Sequence, residues 1–166
     1  MRRLLSTIVL LCLAAPPAAL AARAAVGDGT LAVRGATGTL RLDIEGAVVG
    51  RLETGQLELI APSADDCRDV DVWGADRIKP RIRATGAPSC VYTELAEGGT
   101  PQPIRFRLAL RSNQTLIIRS DGLWLSAVGQ GRGTIKGTAG TYSRNGQNFA
   151  PLPDEAVSFK LGATLE

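Results

Sequence analysis

Apolar and polar residues alternate one for one through most of the chain. Leu40, Leu42 and Ile44 interleave with Arg41, Asp43 and Glu45. Ile104, Phe106, Leu108 and Leu110 interleave with Arg105, Arg107, Ala109 and Arg111, and Val157, Phe159 and Leu161 with Ala156, Ser158 and Lys160. An extended chain points successive side chains to opposite faces, so each run predicts a strand with one apolar and one wet face. Shorter stretches of the same kind lie at 31–34, 47–52, 56–61, 69–73, 78–83, 91–95, 115–119, 123–128 and 134–136. Helical spacing of apolar residues is absent from 25–166.

Turn chemistry separates these stretches. Asp121-Gly122 and Asn145-Gly146 supply the positive-φ pair that a two-residue hairpin needs. Glycines at 35, 38, 46, 50, 55, 98 and 99 punctuate the rest. Pro80 cannot donate a ladder hydrogen bond, so its strand is expected at an edge or broken there. About a dozen short antiparallel strands, each one-sided in polarity, predict an all-β fold. A β-sandwich is the expected arrangement, with a closed β-barrel as the alternative.

The first 24 residues depart from this pattern and read as a cleaved signal peptide. Arg2 and Arg3 precede the apolar run Leu4 to Leu13, Pro16 and Pro17 follow it, and small residues lead to sites after Ala21 or Ala24. The run is shorter than the roughly 20 residues a membrane span needs. The expected layout is a signal peptide at 1–24 and one all-β domain at 25–166. The protein is then exported, to the cell envelope or beyond, with no transmembrane segment after cleavage.

Export changes the charge and the cysteine count. The full chain has 19 Lys and Arg against 16 Asp and Glu. A cut after Ala24 removes Arg2, Arg3 and Arg23 and leaves 16 against 16. The basic excess therefore belongs to the leader, and nucleic acid is not an expected partner. Of three cysteines, Cys67 and Cys90 stay, in a compartment where disulfides persist, and they are expected to pair.

Three glycine-rich runs carry a resemblance. Gly46-Ala-Val-Val-Gly-Arg51, Gly129-Gln-Gly-Arg-Gly-Thr134 and Gly140-Thr-Tyr-Ser-Arg-Asn-Gly146 are similar to runs in small exported β-rich bacterial proteins with no assigned activity. The resemblance implies export and a β fold, and no chemistry.

Chemistry is bounded first by an absence, since the chain contains no histidine. Ser-His-Asp and Cys-His catalysis and imidazole metal sites are thereby excluded. Asp65, Asp66, Asp69 and Asp71, with Asp76 beyond them, form an acidic stretch beside Cys67. Hard oxygen ligands on a pinned loop are the candidate for calcium, although the spacing is not that of an EF-hand and a solvated strand face is the simpler explanation. Arg105, Arg107 and Arg111 share one strand face, which suits an anionic ligand or simply keeps an outer face soluble. Trp124 points away from Leu123 and Leu125, and Trp73 shares a face with Asp69 and Asp71. An exposed Trp beside carboxylates grips a sugar ring, while a buried one fills a core.

These residues lead to a binding or structural module without enzymatic activity. The first candidate surface is Trp73 with Asp69 and Asp71, ahead of the Arg105, Arg107 and Arg111 face, and Trp124 is a further candidate. An envelope glycan or another exported protein is the expected partner. The alternative is a carboxylate-dependent polysaccharide hydrolase, which needs two acids flanking a cleft.

Overall fold

A computed structural model describes residues 27–61, 63–74, 78–83, 87–93 and 102–162. The signal-peptide segment and Asp76 lie outside the described residues. Among the described residues eight strands form one antiparallel sheet: β1 (Gly29–Ile60), β2 (Asp71–Trp73), β3 (Arg81–Arg83), β4 (Ser89–Thr93), β5 (Ile104–Leu110), β6 (Thr115–Arg144), β7 (Ala150–Pro151) and β8 (Val157–Leu161). Their order runs β2-β5-β1-β4-β3, with β6 pairing β1, β7 and β8. The sheet curls into a half-barrel. The all-β antiparallel class is the expected one, and a single curled sheet stands between the stacked and closed arrangements considered above.

Two strands of 32 and 30 residues dominate. The stretches expected as separate strands at 31–34, 40–45, 47–52 and 56–61 are one continuous β1, and those at 115–119, 123–128 and 134–136 are one β6. The two form a ribbon that pairs along its full length, from Leu31 opposite Arg144 to Ile60 opposite Thr115. The ribbon then coils and pairs with itself. Leu42 lies opposite Gly133 on one edge and Leu116 on the other, two β6 positions 17 residues apart (133 − 116). Gly129 likewise lies between Gly29 and Gly46, again 17 apart (46 − 29).

Glycine makes this coiling sterically feasible, and at four points it also switches the buried face. β1 buries Leu31 and Val33 before Gly35, then Leu40, Leu42, Ile44, Val48 and Leu52, and after Gly55 it buries Leu57 and Leu59. The buried positions thus pass from odd to even and back to odd. β6 buries Leu116 and Ile118, then changes parity at Gly122 to bury Leu123, Leu125, Ala127 and Ile135. Past Gly140, Tyr142 packs against the core. Gly35, Gly122 and Gly140 take positive φ (58°, 73° and 95°) where the β1–β6 register shifts, as in a β-bulge, and Gly55 (130°) turns the strand over with its register unbroken. Asp121-Gly122, expected as a hairpin turn, is one of these bulges. Asn145-Gly146 is a hairpin turn as expected, with φ of 49° and 72°, and it returns the chain into β7.

The core fills the concave side of the curl. β5 shows the period most plainly, with Ile104, Phe106, Leu108 and Leu110 buried and the residues between them exposed. Two core rings sit over glycines directly opposite them: Phe106 over Gly50 and Phe159 over Gly133. A Cβ on either glycine would come within 2.4 Å of the ring, so glycine here is space for an aromatic. A 3₁₀ turn (Ala64–Asp69) carries buried Cys67 to buried Cys90 on β4, and the two form a disulfide with their Cα atoms 5.8 Å apart. The Tyr92 hydroxyl donates to the Cys67 carbonyl at 3.1 Å, tying the same turn to β4.

Candidate functional site

The outer face of the curled sheet carries a row of matched residues. Across four adjacent strand segments, Trp124 on β6 lies opposite Arg51 on β1, Arg51 opposite Arg105 on β5, and Arg105 opposite Trp73 on β2. Each points outward because its sequence neighbours (Leu123 and Leu125, Leu52, Ile104 and Phe106, Val72) fill the core. Trp124 is 50 % exposed and Trp73 36 %, so neither serves as core. Adjacent strands lie about 4.8 Å apart, which puts the two Trp residues roughly 14 Å from each other across the row.

The row extends at the β6 end. The Trp124 ring leans toward β1, within 4.0 Å of where a Cβ on Gly35 would be. The neighbouring Arg34 places its guanidinium 3.9 Å from the centre of the Phe149 ring, a cation–π contact on a residue itself 39 % exposed. A shallow hollow of about 340 Å³ between Arg34, Trp124, Arg51 and Val49 joins these groups. The result is a belt in which aromatic and guanidinium groups alternate: Phe149, Arg34, Trp124, the Arg51–Arg105 pair, and Trp73.

Charge along the belt is unbalanced. Arg34, Arg51, Arg105 and Arg107 face two carboxylates, Glu53 and Asp71. Arg51 is 2.8 Å from Glu53, and Arg107 lies opposite Asp71. Arg51 and Arg105, however, are directly opposed, and like charges in that relation destabilise a sheet.

Of the candidate residues named from sequence, the belt gathers Trp73, Trp124, Arg105, Arg107 and Asp71. Arg111 lies apart, its guanidinium 3.2 Å from Asp66. The side chain of Asp69 lies outside the described residues. Asp66 also accepts from the backbone N–H and the hydroxyl of Ser63, both at 3.2 Å, so it caps the 3₁₀ turn. Among the described residues no three Asp, Glu, Cys or His side chains gather as metal ligands. Arg34, Arg51 and Phe149 are members of the belt that sequence reasoning does not pick out. Alternation does place Arg34 beside Val33 and Arg51 beside Leu52, which marks both as outward. Their membership of the row depends on strand register, which alternation does not carry.

A second feature is a groove of about 860 Å³ on the outer face between β6 and β8. Arg132, Arg144, Lys160, Thr134, Ser158, Asn145 and Gln147 line it with Asp43. Asp43 accepts two hydrogen bonds from the Arg41 guanidinium, at 2.8 and 3.0 Å, and a third from the Thr115 hydroxyl. The Arg41 hydrogen bonds hold the Asp43 pKa below its ordinary value, against the opposing effect of partial burial, and Thr115 adds to the lowering.

No family model matches this chain, and no curated protein or solved structure matches it.

Proposed function

We propose that this protein is an exported binding module whose outer belt holds an acidic polysaccharide. The observation that carries the reading is the in-register row Trp124–Arg51–Arg105–Trp73. Flat aromatic faces stack on sugar rings, and guanidinium groups between them pair with the carboxylates or sulfates of a charged chain. A span of roughly 14 Å, three inter-strand spacings, suits a few consecutive sugars. The like-charged Arg51–Arg105 pair supports an anionic occupant, since an anion bridging the two turns repulsion into attraction. The Cys67–Cys90 disulfide accords with an oxidising, extracytoplasmic setting.

The hydrolase alternative draws no comparable support. A glycosidase needs one carboxyl held protonated near neutral pH opposite a second acid. In the groove between β6 and β8 Asp43 is the one carboxylate among the described lining residues, and Arg41 favours its ionised form.

Affinity electrophoresis in gels containing polygalacturonate, heparin or neutral dextran tests the proposal, with an oligothymidylate arm beside them. The acidic polysaccharides should retard the protein and dextran should not. Trp124→Ala or Trp73→Ala should weaken that retardation about tenfold, the scale of one lost stacking contact. Retardation unchanged by both substitutions, or binding to oligothymidylate tighter than to either acidic polysaccharide, would overturn the reading.

A further inference from the structure

The groove between β6 and β8 is chemically unlike the belt. Arg132 and Lys160 lie directly opposite each other on neighbouring strands, both on the outer face, and Arg144 joins them in lining the groove. Opposed cations a strand spacing apart cost stability unless something negative lies between them. Asp43 lies directly opposite Arg132, but on the edge away from Lys160, and the Arg41 guanidinium already offsets its charge.

The rest of the lining is rich in donors. Thr134 and Ser158, another directly opposed pair, hold their hydroxyls 3.3 Å apart. Gln147 adds a side-chain amide from the hairpin turn, whose position is fixed by Asn145. The Asn145 N–H donates to the Thr30 carbonyl at 2.7 Å, and its side-chain amide accepts from Thr30 N–H and donates to the Lys160 carbonyl. The aromatic in the lining, Phe159, is buried beneath it and offers no exposed stacking face. Cations, hydroxyls and amides without a platform suit a compact multivalent anion, not a sugar chain.

We infer that this groove binds a phosphoryl oxyanion through Arg132, Lys160 and Arg144. The site is separate from the belt and stands or falls independently of it. With an oxyanion between Arg132 and Lys160, the costly pair becomes a clamp, and Thr134 and Ser158 are placed to donate to the remaining oxygens.

Thermal unfolding of the protein in sodium chloride and in sodium phosphate at equal ionic strength tests this. Saturating phosphate should raise the midpoint by about 3 °C or more over chloride. Arg132→Gln and Lys160→Gln should each remove most of that rise, weakening the apparent phosphate affinity tenfold or more. In chloride alone Lys160→Gln should leave the midpoint unchanged or higher, since it removes half of a repelling pair. Lys136→Gln, on β6 outside the groove, should keep the full rise. Replacing inorganic phosphate with glycerol phosphate distinguishes the source: a larger rise assigns the phosphoryl group to an organic ligand, an equal one to free phosphate. No rise in phosphate, or an equal rise in the Arg132→Gln and Lys160→Gln variants, would overturn the inference.

Discussion

Gly46 and Gly129 face each other across the β1–β6 ladder so closely that neither position has room for a side chain. A Cβ on Gly46 would lie 2.1 Å from the Val128 carbonyl oxygen and 2.7 Å from the Gly129 Cα. One on Gly129 would lie 2.2 Å from the Glu45 oxygen and 2.9 Å from the Gly46 Cα. These obstacles are backbone atoms in a ladder, which cannot rotate aside. Gly46→Ala and Gly129→Ala should therefore each cost about 3 kcal/mol or more. Gly146, in the hairpin turn, has nothing within 4 Å of where its Cβ would lie, and only its positive φ to lose. Gly146→Ala should cost about 1 kcal/mol. Urea denaturation of the three variants checks the order.

The ion pair of Arg41 and Asp43 predicts a pH dependence. Asp43 has its pKa lowered on folding, chiefly by the Arg41 hydrogen bonds, and Arg41 has its own raised by the same contact. The pair's stabilisation is thus complete above the ordinary carboxylate range, and it is lost as pH falls through the lowered Asp43 value. Both side chains remain 40 % or more exposed, so the effect at neutral pH should stay below about 1 kcal/mol. Asp43→Asn should be less stable than the parent at pH 7 and should converge with it near pH 2, measured by urea midpoints. A gap that stays constant with pH would argue against the pair.

The disulfide joins residues 23 apart in sequence. The loop-entropy estimate gives about 3.4 kcal/mol for a closure of this length. The double substitution Cys67→Ala and Cys90→Ala should lower stability by roughly 2–4 kcal/mol, with the 3₁₀ turn losing protection first in hydrogen exchange.

At the belt, aromatic and charged substitutions should separate by their response to salt. Arg105→Gln should weaken binding to polygalacturonate and also flatten its salt dependence, because one screened charge contact is gone. Trp124→Ala should weaken binding while leaving that dependence unchanged. Neither should destabilise the fold by more than about 0.5 kcal/mol, since both side chains are on the outer face. Titrations at several salt concentrations, read by intrinsic fluorescence of the Trp that stays, check this.

How far the sequence reveals these features depends on whether they are local. The alternation of Ile104 to Leu110 translates residue for residue into buried and exposed positions on β5. Asn145-Gly146 makes its turn because the φ values it needs are set by those two residues alone. Asp121-Gly122 sends the same local signal, yet it lies inside β6, where the pairing on both sides keeps the chain extended and turns the glycine into a bulge. The continuity of β1 through Gly35, Gly38, Gly46 and Gly55 is hidden for the same reason. A glycine that ends a strand and one that bends it look alike until the partner strand is known. The belt follows this division. Trp73, Trp124, Arg105 and Arg107 are legible as outward-facing one by one, whereas the alignment that adds Arg51 and Arg34 comes from ladder register. The groove is not legible at all, because Arg132 meets Lys160 only through the pairing of β6 with β8, and Arg144 is held at the far end of β6 by its pairing with β1.

The four positive-φ glycines Gly140, Gly35, Gly122 and Gly55 line up on neighbouring segments, so the face switch of each strand is matched by the next. This ties the lengths of the segments together. Removing one residue near Gly122 would return 123–128 to the wrong face, presenting Trp124 to the interior and Leu125 to water. β1 lies against β6 on both edges there, so no slip of a single ladder could absorb the change. Single-residue insertions and deletions around these four glycines should therefore be rejected one at a time, yet tolerated as compensating sets. The connection at 112–114 joins β5 to β6 without crossing the line, so this coupling of lengths does not reach it.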